Sequence, residues 1–547
     1  MSKIIGHKAV LIYPEFYTQN TFWSYTKSLQ LYASPGEFGL PKRLLPPLGL
    51  MGLFNHLKSY YEEICLIDKN IDPRPIAEQI RNADHVFMGG MLAQEQGLLQ
   101  HALEVKKAGK ILIVGGTAIT PQSPLMKIAD HLVENEAEGI IDELLEGLSK
   151  GTARKYYKGG FNLPEQFFQP DYAAINMQNY VHMAVQISRG CPEKCEFCDI
   201  PSRFGKAYRV TPWEDTAKSF RQMKDLGWTG QVFVVDDNFI GNPRKALQVL
   251  KNLYKIGENI NYHHPKYTEL TLRLADDKPI MEELRHWFRK TNFINGFYGV
   301  ETPNEAALLE TDKRQNLRGE KSLVEKLRFI SEQTGSGVMM GMIYGFDHDT
   351  NESVREFIAF VNESNAPIVM AGLLNALPCT KLIEKLQKQG RMIHASSGNN
   401  SDGIINFIPY NFSVQQAEQN YLQILDGIYH PKAYFDRVMR HLNLIDPDLQ
   451  CTYRATNDSV GYLVKILSRK HALIYWRYLP GALIIAKRRC GFNTPGYMAI
   501  LAEFFSLCAQ FTHFTGQINV QRKHIAERNY TKRQQFSWRE LQVSKNN

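Results

Sequence analysis

Three cysteines lie close together in the sequence at the spacing CxxxCxxC. They are Cys191, Cys195 and Cys198. In an intracellular chain, thiolates clustered in a short loop are metal ligands far more often than disulfide partners. A structural zinc site normally has four ligands, and no fourth cysteine or histidine lies close by in the sequence to complete one. On a cubane iron–sulfur cluster, three thiolates would leave one iron open to a small chelating molecule.

The residues around these cysteines fit a loop that follows a strand. Residues 182–188 (HMAVQIS) have strand character, and Gly190 lets the chain turn after them. With Phe197 directly before the last cysteine, the stretch resembles the radical S-adenosylmethionine (SAM) superfamily, whose CxxxCxxC loop follows the first barrel strand. The resemblance implies that a [4Fe–4S] cluster on the three cysteines binds SAM and cleaves it to methionine and a 5′-deoxyadenosyl radical. A zinc knuckle with a distant fourth ligand, or three unrelated cysteines, is the alternative.

Residues 181–380 alternate strand-like and helix-like segments, which predicts six strand–helix units of a partial (β/α)6 barrel. The third strand of this pattern is predicted over 270–274 (LTLRL). Catalytic groups of such barrels lie at the carboxyl ends of the strands. The superfamily resemblance implies SAM contacts after the second, fourth and fifth strands, where we expect Asp237, Glu301 and Gly345. Ordinary strand caps and turn residues are the alternative for each of them.

Residues 8–150 show an earlier alternation of strands and helices. The strands are short and fully apolar, which predicts a doubly wound, Rossmann-like parallel sheet with helices on both faces. Glycines follow the expected strand ends, where they let a flat or phosphate-bearing ligand approach the backbone. They are Gly89, Gly90, Gly115, Gly116 and Gly139.

This segment resembles the cobalamin-binding domain that precedes the radical-SAM barrel in one large subgroup, of which the 46–50 run (PPLGL) is typical. The resemblance implies cobalamin at the carboxyl edge of the sheet, beside the five glycines. The DxHxxG motif, whose histidine ligates cobalt in many other cobalamin proteins, is missing. A non-histidine side chain or water would then meet the lower face of cobalt, and Gln94 is the candidate. A generic Rossmann-like domain without a cofactor is the alternative.

Together these patterns predict four segments. They are a cobalamin-binding domain over 1–150, a connector over 151–180, a radical SAM barrel over 181–380, and a mainly helical extension with a basic tail over 381–547. A chain of 547 residues is too long for one ordinary core. Its composition, 44% hydrophobic and 22% charged, excludes a largely disordered chain.

The C-terminal extension carries no motif with an assignable chemistry. It resembles the C-terminal region of cobalamin-dependent radical-SAM proteins such as hopanoid methylases. Residues 415–442 are helical and amphipathic in pattern, and residues 471–515 are apolar and aromatic with interspersed basic residues. We favour core packing for 471–515, and a surface that touches a membrane or a lipid-like substrate is the alternative. For Cys379 we favour a buried structural role over hydrogen-atom donation or metal binding at the barrel mouth.

Charge and hydropathy limit the compartment and the partners. The net charge of +8 is modest for this length and does not by itself indicate nucleic acid. The sequence has neither a signal-peptide pattern nor an apolar window of about 20 residues, and its remaining cysteines are scattered. We therefore expect a cytoplasmic protein, with peripheral membrane association as the alternative. The superfamily resemblance also implies an external electron donor such as flavodoxin or ferredoxin.

The implied reaction is methyl transfer to an unactivated carbon. One SAM would remethylate cob(I)alamin, and a second would give the radical that removes a hydrogen atom from substrate, which then takes a methyl radical from methylcobalamin. The apolar C-terminal region favours a hydrophobic small molecule, lipid-like or tetrapyrrole, as the substrate. A radical SAM cyclase or rearrangement enzyme with cobalamin, and a non-catalytic iron–sulfur or zinc-binding protein, are the alternatives.

Overall fold

The structure is a computed structural model. The residues that it describes are 4–16, 44–72, 75–120, 122–399, 401–450, 471–491 and 495–546. Cys451, one of the scattered cysteines, lies outside them. The described residues form two compact units, of which the first takes 4–192 and 199–229 and the second takes 193–198 and 230–546. This division does not test the predicted domain boundaries, which stay a prediction.

The first unit begins with alternating strands and helices. In chain order they are β1 (Gly6–Tyr13), α1 (Leu48–Leu57), β2 (Tyr61–Asp68), α2 (Ala77–Arg81), β3 (His85–Gly89), α3 (Glu95–Lys107), β4 (Ile111–Gly115), β5 (His131–Glu134), α4 (Ile141–Lys150) and β6 (Tyr156–Lys158). They form a parallel sheet in the order β2-β1-β3-β4-β5-β6. The order reverses at β1 and β3, the kind of switch point at which doubly wound sheets bind ligands.

Both faces of this sheet are buried, because side chains of β1 alternate between two apolar clusters. Val10 and Ile12 pack with residues of α3, whereas Ala9 and Leu11 pack with residues of α1 and α4. The predicted Rossmann-like sheet is therefore confirmed. Its last strand, β6, falls within the segment predicted as a connector and pairs with β5. That pairing was missed because β6 has only three residues.

The rest of the first unit surrounds the start of the cysteine loop. Its elements are β7 (Met183–Val185), β8 (Ser188–Arg189), α5 (Ile200–Arg203), β9 (Arg209–Val210) and α6 (Trp213–Asp225). Strands β8 and β9 pair antiparallel, so that Arg189 lies opposite Arg209. The backbone N–H of Cys191 donates a hydrogen bond to Gly205 O at 3.1 Å. This short ribbon fixes the point at which the chain enters the cysteine loop.

The second unit contains a further run of parallel strands with helical crossovers. Its elements up to residue 388 are β10 (Val232–Val234), α7 (Pro243–Asn259), β11 (Lys266–Leu270), α8 (Pro279–Lys290), β12 (Phe293–Glu301), α9 (Glu305–Glu310), α10 (Leu323–Thr334), β13 (Gly337–Tyr344), α11 (Ser353–Glu363), β14 (Ile368–Leu373) and α12 (Lys381–Lys388). Strands β14, β13, β12, β11 and β10 are neighbours in that order. The α/β fold class predicted for this part is confirmed.

The third predicted strand was placed wrongly. The structure has β11 at Lys266–Leu270, and the predicted LTLRL segment falls mostly in a 3₁₀ turn at Leu272–Ala275. The Nζ of Lys266 donates to His264 O at 2.6 Å and Thr291 O at 2.8 Å, which compensates its burial. The segment KYTEL was not predicted as a strand because its lysine and glutamate lower its hydropathy.

The chain ends in a helical region, as predicted. Its helices are α13 (Val414–Ile428), α14 (Pro431–Leu444), α15 (Pro447–Gln450), α16 (Ala472–Cys490), α17 (Pro495–Ala526) and α18 (Trp538–Asn546). The amphipathic stretch 415–442 forms two helices, because Pro431 cannot continue α13 and instead begins α14. Among the described residues, no helix is both long and apolar enough to cross a membrane.

Candidate active site

A cavity of about 340 Å³ lies at the carboxyl ends of β1, β3 and β4 in the first unit. Four of the predicted cofactor residues line it: Gly89, Gly90, Gly115 and Gly116. The PPLGL run at 46–50 forms another part of its wall. Apart from Tyr13 and Thr117 the lining consists of apolar side chains, proline and glycine. Its size and chemistry are those of a site for a cofactor or its flat, apolar part.

Gly116 shows why glycine is needed at this edge of the sheet. Its φ of +95° lies in the left-handed region, and a Cβ there would lie 2.6 Å from Gly90 O. Strands β3 and β4 run in register up to Gly89 and Gly115, so two glycine pairs meet at the cavity. A side chain at 116 would push the two loops apart and change the floor of the cavity.

Gln94 and Gly139 are absent from the lining of this cavity, and each has another visible role. Gln94 is fully buried; its Nε2 donates to Pro14 O at 2.6 Å and its Oε1 accepts from Met91 N at 3.0 Å. A Cβ at Gly139 would lie 2.3 Å from Asn162 Oδ1. Gln94 thus holds the loop after β3, and Gly139 makes room for Asn162. Their contact with a cofactor stays a prediction.

A buried ion-pair network anchors both sides of the cysteine loop to the end of β5, all within the first unit. Glu136 is 3% exposed and accepts from both terminal nitrogens of Arg209, at 2.6 and 2.9 Å. Arg189 contacts Glu138 at 2.7 Å. These four residues were missed as site residues, although the acidic run 134–138 (ENEAE) directly after a strand was a usable signal.

Of the three motif cysteines, Cys191 belongs to the first unit, and Cys195 and Cys198 belong to the second. Cys195 is buried, and Gln315 Nε2 donates to its Sγ at 3.5 Å. Burial raises the pKa of the Cys195 thiol despite the positive charge of Lys313. The ring of Phe197 meets Phe346 edge to face at 5.9 Å. No three His, Cys, Asp or Glu side chains of the described residues stand in a metal-binding arrangement, so the cluster assignment rests on the spacing of the cysteines.

Glu301 and Lys313 form a buried ion pair at the carboxyl end of β12. Both are 8% exposed, and Lys313 Nζ lies 2.7 Å from Glu301 Oε1. Burial lowers the pKa of Lys313, but the charge of Glu301 and of the thiolates of Cys195 and Cys198 raises it more, so that the lysine stays charged. Lys313 therefore lies within the field of both cysteines, and it was missed because no local pattern marks it.

Carboxylates gather around this pair. Asp236 and Asp237 follow β10, and Glu269 lies in β11 with its side chain exposed to open space. Desolvation by the protein around this side chain raises the pKa of Glu269 to about 7, and the negative charges of Asp237, Glu301 and Asp236 add to the increase. Glu269 was missed because its strand was placed wrongly. The group offers acceptors to an ammonium group or to ribose hydroxyls.

Gly345 lies where β13 ends, with a φ of +116°. Its N–H and that of Phe346 donate to Asp349 Oδ2 at 2.9 and 3.0 Å. Burial raises the pKa of Asp349 to about 6, although these two donors lower it. The buried carboxylate of Asp349 therefore holds this turn in place.

Cys379 contradicts the interpretation given from sequence. It is exposed rather than buried, with a φ of +64°. The thiol stands in the turn before Thr380, whose side chain caps α12. The apolar neighbours of Cys379 in sequence suggested burial, but the tight turn directs it outward.

Two family models match the chain. Residues 185–361 match the radical SAM superfamily, and residues 380–527 match a domain family of unknown function, DUF4070. The first covers the cysteine motif and most of the strand–helix run. The second covers the greater part of the helical region.

Curated relatives extend the similarity over most of the chain. An uncharacterized methyltransferase of Synechocystis is 32% identical, covering 96% of this chain and 95% of its own. The hopanoid C-2 methylase of Rhodopseudomonas palustris is 29% identical over 72% of this chain and 73% of its own. The bacteriochlorophyllide d C-12(1)-methyltransferase of Chlorobaculum tepidum is 21% identical over 72% and 84%.

Solved structures share the fold at low identity. OxsB, a cobalamin-dependent SAM radical enzyme with aqua-cobalamin bound, matches at a TM-score of 0.56 and 12% identity over 95% of this chain and 84% of its own. TsrM from Kitasatospora setae, a radical SAM methyltransferase, matches at 0.53 and 14% over 71% and 77%. The chain is therefore an enzyme that belongs to the radical SAM superfamily, in the methyltransferase-like family of the Synechocystis and hopanoid-methylase relatives.

Proposed function

We propose that this enzyme is a cobalamin-dependent radical SAM C-methyltransferase that acts on a hydrophobic small molecule. Cys191, Cys195 and Cys198 would hold a [4Fe–4S] cluster, and the cavity of the first unit would hold cobalamin. The observation that carries the proposal is that cavity: an apolar site walled by two glycine pairs, in a chain with the CxxxCxxC motif and methyltransferase relatives.

The residues fit these groups. In the cavity, Gly89, Gly90, Gly115 and Gly116 leave backbone rather than side chain at the wall, which suits a broad, flat cofactor. When bound, the cluster supplies the electron that cleaves SAM and cobalamin supplies the methyl group. The protein supplies binding, orientation and exclusion of water.

The carboxylates of the second unit would bind SAM. Asp237, Glu301 and Glu269 offer acceptors for its ammonium group and its ribose hydroxyls, and Gly345 would let it approach the backbone. Lys313 fixes Glu301 by an ion pair and balances the charge of the thiolates. Phe197, packed on Phe346, would shape the wall near the last cysteine.

The substrate class is inferred from the relatives and from the apolar C-terminal region. Two relatives are named for hopanoids and bacteriochlorophyllides, which are large and mainly apolar. We therefore infer an isoprenoid lipid or a tetrapyrrole as the substrate, with an external one-electron donor such as flavodoxin or ferredoxin.

The cofactors can be tested directly. The protein would be reconstituted without oxygen with iron, sulfide and hydroxocobalamin, then desalted for one absorption spectrum and a metal analysis. We expect about four irons and one corrinoid in the wild type. The Cys191→Ala/Cys195→Ala/Cys198→Ala variant should lose the iron and keep the corrinoid. Iron without corrinoid would contradict methyl transfer through cobalamin, and zinc without iron would contradict the radical reaction.

The reaction can be tested with SAM that carries a deuterated methyl group. Reduced holoenzyme should release 5′-deoxyadenosine and transfer the label to a carbon of a hopanoid or chlorophyllide acceptor. Cleavage of SAM that yields a cyclised or rearranged, unlabelled product would show that the enzyme catalyses another radical reaction instead of methylation. The cysteine variant, which should lack the cluster, is the control for cleavage that does not depend on it.

A further inference from the structure

Helix α16 of the second unit is apolar on two opposite sides. On its inner side Tyr475, Ala482 and Ala486 are fully buried. The Tyr475 hydroxyl donates to Cys508 O at 2.9 Å, and Tyr478 stacks on Phe435 at 5.0 Å. The core packing favoured for this region is therefore confirmed for one side of the helix.

The outer side of α16 presents large apolar side chains to solvent. Leu473 is 88% exposed, Ile484 is 65% exposed and Trp476 is 54% exposed. With Leu483, at 37%, they fall within an arc of about 100° on a helix of 3.6 residues per turn. Single exposed apolar residues need no explanation, but a continuous stripe along one helix marks a contact surface. We call these four residues the α16 stripe.

The charge that α16 itself carries is of one sign, and Asp436 of α14 contacts the helix through Tyr478 on its inner side. Arg477, Lys487 and Arg488 are exposed on the same side of the helix. The sequence from 459 to 502 has no aspartate or glutamate. Its basic residues, histidine apart, are Lys465, Arg469, Lys470, Arg477, Lys487, Arg488 and Arg489. Large apolar residues with a tryptophan and a basic border are typical of helices that lie in a lipid–water interface.

We propose that the α16 stripe docks on the anionic phospholipid surface of a membrane. The apolar side chains would enter the boundary between headgroups and acyl chains, while Arg477 and Lys487 would meet lipid phosphates; Arg488 donates to Asn443 Oδ1. The helix lies in the plane of the interface, because its inner side stays packed in the protein. A second copy of this chain fits less well, since a two-fold contact would bring the same basic residues together. This inference does not depend on the proposed reaction.

Vesicle flotation tests the surface with the reconstituted protein. We expect flotation with vesicles of equal phosphatidylcholine and phosphatidylglycerol, and little with phosphatidylcholine alone. The Leu473→Ser/Trp476→Ser/Ile484→Ser variant should bind the anionic vesicles at least tenfold less. Arg477→Gln/Lys487→Gln should lose most of the preference for anionic lipid. Leu103→Ser/Leu309→Ser, at residues 58% and 47% exposed on other helices, is the matched control and should bind like the wild type.

A second measurement locates the contact. Lipids brominated on their acyl chains should quench the fluorescence difference between the wild type and Trp476→Phe, and circular dichroism should show that all variants fold. Failure of the wild type to float with anionic vesicles would overturn the proposal. Equal flotation of the serine variant would also overturn it. A wild-type dimer that the serine substitutions dissociate without lipid would assign the α16 stripe to a second copy instead.

Discussion

Lys313 forms a direct ion pair with Glu301 at the end of β12 and acts on the cysteines through its charge. Replacing it by methionine would leave Glu301 buried without its partner, which costs about 3–5 kcal/mol when one member of a buried pair is removed. We expect Lys313→Met to reduce cleavage of SAM at least a hundredfold, measured as 5′-deoxyadenosine released by reduced holoenzyme.

Lys313→Arg is the control for this prediction, because it keeps the charge. It should retain more of the cleavage than Lys313→Met at equal iron content. Equal rates for methionine and arginine would show that the charge at this position does not matter.

Gly116 gives a prediction about the other cofactor. In Gly116→Ala the added Cβ would meet Gly90 O at 2.6 Å, and we expect corrinoid binding at least tenfold weaker, with iron content unchanged. Corrinoid retained on the desalted protein is the measurement. Gly109→Ala is matched to it, since Gly109 also has a positive φ, of +69°, but no atom within 4 Å of the added Cβ. A normal corrinoid content in Gly116→Ala would contradict the proposal that cobalamin binds in this cavity.

Some residues of the candidate site are visible as local sequence patterns, and others are not. Cys191, Cys195 and Cys198 lie in one short motif, and the glycine pairs follow recognisable strands. Lys313 and Glu269 become site candidates only through contacts with residues distant in sequence. No local pattern encodes such contacts, so spacing and periodicity cannot reveal them.

Among the elements, the loop after β5 depends on the pair of Glu136 and Arg209. Arg209→Met would leave Glu136, which is 3% exposed, with Arg189 at 3.9 Å as its remaining cation, and we expect a loss of about 1–3 kcal/mol in the free energy of unfolding. Urea unfolding of the apoprotein is the measurement. Adding Glu136→Gln should recover part of the loss, and equal stability of the single and double variants would show that the pair is not coupled.

The turn after β13 gives a prediction about pH. Asp349 has a pKa of about 6 in the folded chain against 3.8 for the free group, so the folded state holds more protons between these values. Stability should therefore fall as pH rises through this window, by about 1 kcal/mol between pH 5 and pH 7 from this carboxyl alone. Asp349→Asn should remove this part of the decrease in urea unfolding. An unchanged pH dependence in the variant would contradict the assignment.

The elements were predictable where apolar runs were unbroken. Strands β1, β3 and β4 were predicted because each is a short apolar run. Strand β11 was misplaced because Lys266 finds two backbone carbonyls inside the protein, a solution that hydropathy cannot anticipate. The break between α13 and α14 is one that the sequence carries at Pro431, because proline cannot continue a helix.

For the whole molecule, the cofactors should act on stability as ligands of the folded state. The described residues form two compact units, and hydroxocobalamin should stabilise the step in which the first unit unfolds. At one hundred times its dissociation constant a ligand adds about 2.7 kcal/mol. Thermal unfolding followed by circular dichroism should show this shift in the wild type and a smaller one in Gly116→Ala. Equal shifts in both proteins would contradict the assigned site.

Glu301 has a φ of +69°, where a residue with a side chain costs about 1–2 kcal/mol more than in a helix or strand. Two positions earlier, a Cβ at Gly299 would lie 2.6 Å from Glu301 Oε1. Glycine at 301 alone would leave Lys313 buried without its partner, and Lys313 Nζ would still lie 3.0 Å from a Cβ at 299. A descendant of this chain that no longer used the carboxylate would therefore gain stability only by replacing Glu301 with glycine and Lys313 with an apolar residue together, and alanine would then fit at 299. The three positions together record whether a lineage has kept its chemistry.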